Sequence, residues 1–420
     1  MTTTGTGSWR RLRLGTRGSR LALTQSGQVA EALMAAGGGG AAAAAGKASE
    51  GSGGLGIDLV TVRTDGDGDR TPLRQLGGVG VFAARLRHAL LDGEVDLVVH
   101  SFKDLPTQPV EGLEVICVPA REDPRDALCA RDGLTLADLP EGARVGTGSP
   151  RRAAQLLAAR PDLEVVDLRG NVPTRLARVR GLEVVGVGTD EPVAPSRADA
   201  AGDLDAVVLA LSGLRRLGLE HCASEVLDLE TMLPAPAQGA LAVEARAGED
   251  CTELARAAAA LDDEPTRLAV TAERALMARL GAGCAAPVGA WAHLRGESQE
   301  PRGDHAEHGT GWNEGFRGDD TAVTGGKQGA GAAEPRGSAV SRRSPRVLVL
   351  RAVVTSLDGG QEVGCELSTE LPEPSGGPRT PRDMAAVRAA EALGVGAAEV
   401  LLEDGADQIV DLHANKPRRD

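Results

Sequence analysis

The sequence predicts an α/β protein with mainly parallel or mixed sheets, followed by a small C-terminal α+β unit. Two observations lead to this prediction. Short apolar strand patterns alternate with amphipathic helix patterns over about the first 250 residues. After a long helix that starts near Glu264-Pro265, strand patterns follow one another and a single helix comes last. At roughly 100–200 residues per domain, a chain of 420 residues has room for two to four domains.

The first part of the chain supplies most of the predicted elements. Strands are expected at residues 11–16, 57–62, 96–100, 113–118, 143–147, 163–167, 205–211 and 241–246. Helices are expected at residues 20–35 and 81–91, from Pro150, and near Pro173. The strand at 241–246 comes late in the chain and could return to pair with the first sheet. The first domain would then be discontinuous.

The last part of the chain has a different pattern. A strong helix is predicted at 266–280, with Pro265 at its start and Gly281 just past its end. Strands are expected at 288–294, 346–356 and near 361–369, before a helix whose start, Thr380-Pro381-Arg382-Asp383, resembles a capping box. We therefore expect three domains, formed by residues 1–119 with 240–258, by 120–239, and by 259–420.

The composition of the chain argues against several classes of function. A net charge of −14 disfavours nucleic acid or an anionic membrane as a partner, and no apolar run is long enough to span a bilayer. The six cysteines form no Cys-x-x-Cys pair, which argues against both a disulfide framework and a zinc site. We expect a soluble cytoplasmic protein without a bound metal. Residues 37–54, 295–345 and part of 181–203 have the biased composition of insertions.

Arginine is concentrated at strand-to-helix turns, although the protein is acidic. Three such turns place arginines beside an N-cap candidate: Thr16-Arg17-Gly18-Ser19-Arg20, Gly146-Thr147-Gly148-Ser149-Pro150-Arg151-Arg152 and Arg169-Gly170-Asn171-Val172-Pro173-Thr174-Arg175. A cation at the positive end of a helix dipole is unfavourable, by about 0.3–1 kcal/mol, unless an anion binds there. Each turn alone is as readily explained by solvated arginines. All three together indicate a ligand with several carboxylates or phosphates.

Two further segments contain candidate binding or catalytic residues. Lys103 and Asp104 directly follow a buried strand, at the sheet edge where open α/β sheets bind ligands. In one interpretation, the two side chains pair with each other at the surface. In the other, Lys103 holds an anion, and Asp104 stabilises a cation or takes a proton. Cys284 lies in a Gly/Pro turn between a helix and a strand, where an accessible thiol can act as a nucleophile or a covalent tether.

Taken in order, six segments of the chain resemble the porphobilinogen deaminase family. They are GTRGSRLALTQ, VVHSFKDLP, VGTGSPRR, LRGNVPTR, LPAPAQGALAVE and LGAGCAAPVGA. The resemblance implies two periplasmic-binding-protein-like α/β domains with mixed sheets plus a small C-terminal α+β domain, in a monomer. It also implies head-to-tail condensation of four porphobilinogens with release of four ammonia molecules. The family builds its product on a dipyrromethane cofactor held by a thioether, for which the matching residue is Cys284.

The resemblance also implies roles for individual residues. Asp104 matches the catalytic carboxylate, which also faces the cofactor. Cofactor carboxylates are expected at Lys103, Ser149, Arg151 and Arg152, with Ser101 and Thr147 nearby. Carboxylates of the substrate and the growing chain are expected at Arg17, Ser19, Arg169, Arg175 and Arg216.

The chain departs from the family pattern at one segment. Where the family often has two lysines around a mobile Gly-Gly pair, this chain has Gln75 and Val79, and Arg70 or Arg74 would have to substitute. One alternative function stays open at this stage, a non-catalytic two-domain module that binds anions. Such a module explains the arginine turns but gives no role to Asp104 or Cys284.

Overall fold

The computed structural model describes residues 11–37, 55–62, 81–184, 202–248, 251–283, 285–295, 345–372 and 384–412. Its strands are β1 (Arg11–Thr16), β2 (Gly56–Thr61), β3 (Leu97–Ser101), β4 (Leu113–Cys117), β5 (Asp126–Ala130), β6 (Arg144–Gly146), β7 (Glu164–Val166), β8 (Ala206–Ala210), β9 (Glu225–Val226), β10 (Leu241–Arg246), β11 (Val288–Leu294), β12 (Val347–Thr355) and β13 (Glu362–Glu370). Its helices are α1 (Arg20–Ala36), α2 (Val81–Leu91), α3 (Pro150–Ala159), α4 (Val172–Leu176), α5 (Leu211–Leu217), α6 (Thr252–Leu261), α7 (Glu264–Leu280), α8 (Met384–Glu403) and α9 (Ala406–Ile409).

Two five-stranded sheets share one arrangement. The first has the order β2-β1-β3-β10-β4 and the second β7-β6-β8-β5-β9. In each sheet three neighbouring strands are parallel, and the fourth, β10 or β5, runs antiparallel to both of its neighbours. The parallel strands therefore direct their carboxyl ends to one edge of each sheet, which is where the turns rich in arginine begin.

The chain crosses between these sheets twice. It leaves the first sheet after β4 and returns to it as β10, which pairs with β3 from Leu241↔Ser101 to Ala245↔Leu97. The predicted return of the late strand is therefore confirmed. The two crossovers lie side by side, because the backbone N–H of Glu122 donates to the carbonyl of Gly239 at 3.4 Å. Gly239 has φ +88°, and a Cβ there would lie 2.3 Å from the carbonyl oxygen of Glu122, so only glycine fits.

The third unit packs two long helices on a small sheet. Strands β11, β12 and β13 form an antiparallel sheet, and α7 and α8 cover one of its faces. The fully buried carboxylate of Glu273, on α7, joins this unit to both crossovers. It accepts hydrogen bonds from Arg121 Nη1 at 2.7 Å on one crossover and from the backbone N–H of Ala237 at 2.5 Å on the other.

The observed fold confirms the predicted α/β class with mixed sheets and a small α+β unit. Most predicted elements lie within two residues of their observed bounds, and α7 begins at Glu264 because Asp263 is its N-cap. The sequence patterns missed β5, β9, α5, α6 and α9. The three domain boundaries stay a prediction. Among the described residues, no helix combines the length and the apolar character that a membrane span requires.

Candidate active site

The predicted site residues that the structure describes lie at the carboxyl ends of strands in both five-stranded sheets. In the first sheet, Arg17 and Ser19 follow β1, and a 3₁₀ turn with Lys103 and Asp104 follows β3. In the second sheet, the turns after β6 and β7 and the helix after β8 carry Thr147, Ser149, Arg151, Arg152, Arg169, Arg175 and Arg216. The crossovers bring these edges together into a cleft.

Three turns are organised by helix capping, as the sequence predicts. The Oγ of Ser19 accepts from the backbone N–H of Ala22 at 3.3 Å, and the Oγ of Ser149 accepts from that of Arg152 at 3.5 Å. The Oδ1 of Asn171 accepts from the backbone N–H of Thr174 at 3.0 Å. Each helix therefore has a defined first turn, which holds the nearby arginines at the sheet edge.

Asp126, the first residue of β5, is the centre of the buried charge in the cleft. Its side chain is fully buried and receives Arg151 Nη2 at 2.7 Å on one oxygen and Arg152 Nη2 at 2.7 Å on the other. Burial alone would raise the pKa of Asp126, but the two guanidinium groups hold it far below its usual range. One carboxylate thus compensates two buried cations.

Lys103 extends this cluster into the first sheet. Its Nζ donates to Gln238 Oε1 at 3.2 Å, and Gln238 Nε2 donates to Asp126 Oδ1 at 2.8 Å. Burial, and then the positive charges of Arg152 and Arg151, lower the pKa of Lys103 to about 8. The carboxylates of Asp104 and Asp126 act in the opposite direction. Lys103, Arg151 and Arg152 thus place three cations around the one buried carboxylate of Asp126, so this cluster has an excess of positive charge.

The remaining arginines of the second sheet add to this excess. Burial, and then the charges of Arg152 and Arg169, lower the pKa of Arg175 to about 10. A buried nitrogen of Arg169, Nη2, has no hydrogen-bond partner among the described residues. Burial also lowers the pKa of Arg216, whose Nη2 donates to the carbonyl of Gly239 at 2.6 Å. This side of the cleft is therefore arranged to receive an anion.

The first-sheet side presents a carboxylate and two hydroxyl-bearing turns. Asp104 is exposed, and its charge acts on both Lys103 and Arg175, so it lies between the two sheets. Ser101 Oγ accepts from the buried amide of Gln25 at 3.3 Å. Arg17 and Ser19 are half-buried on the neighbouring turn. A negative group is thus held next to, but not within, the cationic cluster.

The structure does not bring every predicted residue to the cleft in the same way. Arg151 and Arg152 both turn inward, because each donates to Asp126 and to a backbone carbonyl, that of Leu233 at 2.6 Å for Arg151 and that of Val208 at 3.2 Å for Arg152. Sequence reasoning missed Asp126, although a charged residue heading the apolar strand Ala127–Ala130 was a visible signal. Cys284, Gln75 and Val79 lie outside the described residues, and so do Arg70 and Arg74.

Comparison with known proteins identifies relatives along most of the chain. A family model described as porphobilinogen deaminase, dipyromethane cofactor binding domain, matches residues 12–253, and the C-terminal domain of the same family matches residues 267–299. A porphobilinogen deaminase of Cutibacterium acnes is 46% identical over 97% of this chain and 99% of its own length. One from Micrococcus luteus is 56% identical over 69% of this chain and 76% of its own length. One from Thermobifida fusca is 43% identical over 95% of both chains.

Asp126→Asn is expected to destabilise the protein strongly at neutral pH, by about 3–5 kcal/mol, because it leaves two buried guanidinium groups without their carboxylate. The parent carboxylate has a lowered pKa in the folded state. Its stabilising effect is therefore complete above the unfolded pKa, about 3.9, and is lost as the pH falls towards the folded pKa. Urea unfolding of the parent and of the variant between pH 3 and 7 measures the difference between their free energies of unfolding. If that difference stayed constant as the pH fell below about 4, the assignment of Asp126 as the carboxylate that compensates the two arginines would be contradicted.

Proposed function

The chain belongs to the porphobilinogen deaminase family, and we propose that the cleft between its two five-stranded sheets carries out the family's reaction. That reaction joins four porphobilinogens head to tail into a linear tetrapyrrole and releases four ammonia molecules. Each pyrrole has an acetate and a propionate group, so the growing chain is a polyanion. The excess of buried positive charge around Asp126 is the observation that supports this location most directly.

The residues present suit the dipyrromethane cofactor of the family. Its two rings carry carboxylates, and the cleft offers a partly desolvated amine on Lys103 together with a buried, unpaired nitrogen of Arg169 within the described residues. Lys103, Arg151, Arg152 and Ser149 would hold the cofactor carboxylates, with Ser101 and Thr147 nearby. When bound, this group supplies the pyrrole carbon to which the first substrate is joined.

Binding of the substrate falls to a second set of cations in this proposal. Arg17 and Ser19 on the first sheet, with Arg169, Arg175 and Arg216 on the second, surround the cleft. A carboxylate placed between Arg169 and Arg175 would relieve their mutual repulsion, which is part of what lowers the pKa of Arg175. Each charge-assisted hydrogen bond of this kind contributes about 1.5–3 kcal/mol.

Asp104 is the proposed catalytic carboxylate. As ammonia leaves, positive charge develops on the substrate pyrrole, and the pyrrole nitrogen becomes a stronger hydrogen-bond donor. An exposed carboxylate between the two sheets can accept that N–H and stabilise the charge. The same oxygen can take the proton released when the new carbon–carbon bond has formed. In this proposal the amine of the neighbouring Lys103 binds a ligand carboxylate and takes no part in the proton transfer.

Asp104→Ala is expected to leave the fold intact and to lower the turnover number by at least about 10²–10³-fold, through loss of this electrostatic stabilisation. The measurement is ammonia release from porphobilinogen by enzyme that carries its full cofactor mass. Asp92→Ala, at an exposed residue after α2, is the matched control and should behave like the parent. Turnover of Asp104→Ala within threefold of the parent would refute the role.

Cys284 is the proposed attachment point of the cofactor. The segment that contains it follows α7, which Gly281 ends with φ +63°. Further back on α7, Arg274 donates to the carbonyls of Leu105 and Pro106, each at 2.7 Å. This anchors α7 against the turn with Lys103 and Asp104. Leu280, the last residue of α7, lies six residues after Arg274, so the end of the helix is about 9 Å from this anchor along the helix axis.

Cys284→Ser is expected to abolish the thioether, since a hydroxyl is a far weaker nucleophile than a thiolate. Intact-protein mass spectrometry should find the parent heavier than its sequence by two linked pyrrole units, and the variant without that increment. Cys251→Ser changes a thiol that is only partly buried and should retain the full cofactor mass. A full cofactor mass on Cys284→Ser would exclude the tether.

We also propose that the protein works as a cytoplasmic monomer without nucleic acid or membrane partners. Five cysteines in the described part of the chain are free thiols, as expected of a reducing compartment. The net charge of −14 disfavours polyanionic partners. The large apolar side chains that are exposed among the described residues are few and come from five separate segments of the chain. Light scattering at micromolar protein should give the mass of one chain, and a dimer mass would contradict the proposal.

A further inference from the structure

Gln238 lies on the second crossover, between the two halves of the cleft, and is fully buried. Its Nε2 donates to the carbonyl of Pro124 at 2.7 Å and to Asp126 Oδ1 at 2.8 Å. Its Oε1 accepts from Lys103 Nζ at 3.2 Å and from Arg152 Nη2 at 3.5 Å. Three of these contacts connect a crossover residue to charged groups at the edges of both sheets, and the fourth, to Pro124, connects it to the other crossover.

The orientation of this amide follows from its partners. The NH₂ group faces two acceptors, and the oxygen faces two cationic donors. The reversed amide would direct N–H groups at two cations and an oxygen at a carboxylate, which is unfavourable at every contact. The amide oxygen is therefore held between Lys103 on the first sheet and Arg152 on the second.

We propose that Gln238 is a positioning residue, which holds the amine of Lys103 and the guanidinium of Arg152 on either side of one oxygen so that both can bind the same ligand carboxylate. This inference rests on the proposed function, because it assumes that Lys103 and Arg152 bind carboxylates. A neutral acceptor suits the task. It brings the two cations together without neutralising them, whereas a carboxylate in its place would compete with the ligand.

The electrostatic surroundings of Lys103 give the proposal a direct readout. The charged groups that act on its amine are Asp104 on its own turn, Arg151 and Arg152 on α3, and Asp126 on β5. A hydrogen bond to Gln238 Oε1 favours the ammonium form, which counteracts burial and the two arginines. Removing this acceptor should therefore lower the pKa of Lys103 below its present value of about 8, and a carboxylate there should raise it.

The test compares Gln238→Met and Gln238→Glu with Gln155→Met. Gln155 is another buried glutamine, whose side chain bonds to the backbone of Leu233 at 2.8 Å and 3.1 Å, away from Lys103. Full-length chains carry Cys284→Ser, and mass spectrometry verifies that no pyrrole is attached. Nitrogen-15 labelling of lysine then reports the pKa of Lys103. Its signal is identified among those of only four lysines by its loss in Lys103→Arg.

We expect Gln238→Met to lower the pKa of Lys103 by at least about 0.5 and Gln238→Glu to raise it by at least about 1. Gln155→Met should leave the pKa of Lys103 unchanged, although it should lower the melting temperature about as much as Gln238→Met does. If Gln238→Met does not fold, Gln238→Glu, which keeps the size of the side chain, tests the same contact. A pKa that is the same in parent, Gln238→Met and Gln238→Glu would overturn the proposal.

The same Gln238 variants with Cys284 intact test the consequence for binding. On exposure to porphobilinogen, Gln238→Met should gain its cofactor mass about tenfold more slowly than the parent, the effect of one hydrogen bond to a charged group, because Lys103 and Arg152 are proposed to hold the cofactor carboxylates. Gln155→Met should gain its cofactor at the parent rate. A shifted pKa with unchanged cofactor loading would instead show that Lys103 holds no cofactor carboxylate, and the proposal would fail with that assignment. The two failures are therefore distinguishable.

Discussion

The buried carboxylate of Asp126 is the constraint on which the cleft depends. Two guanidinium groups and one amide bind it inside the second sheet, and a lysine is connected to it through that amide. Without this carboxylate the cations would repel one another in a medium that screens charge poorly. With the carboxylate in place, the cations remain charged and close together, and the net charge of the cluster stays positive. An acidic protein can thus present a strongly cationic site, because the compensation is local and incomplete.

A second carboxylate, Glu273, connects this cleft to the third unit. Its bonds to Arg121 and to the backbone of Ala237 reach both crossovers, and a bond from the backbone N–H of Ala292 at 2.8 Å reaches β11. The two crossovers that connect the sheets are therefore held by the third unit, whose α7 precedes Cys284 and whose β11 follows it in the chain.

The division of charge across the cleft accounts for the chemistry the family performs. Cations on both sheets suit the acetate and propionate groups of successive pyrroles, which all the intermediates have in common. The exposed carboxylate of Asp104 suits the transient positive charge of the reacting ring, which only the transition state has. In the proposed mechanism, binding and catalysis thus use groups of opposite sign.

Local patterns in the sequence determined the α/β class, most strand and helix bounds, and the N-caps Ser19, Ser149 and Asn171, because capping and periodicity depend on neighbouring residues. They also identified which turns carry arginine. They did not identify β5 or the role of Asp126, since that role comes from Arg151, Arg152 and Gln238, residues at least 25 positions away. Nor did they show that Arg151 and Arg152 both turn inward. Only the tertiary structure brings the carboxylate of Asp126 and the carbonyls of Leu233 and Val208 to the start of α3, where the two guanidinium groups bind them.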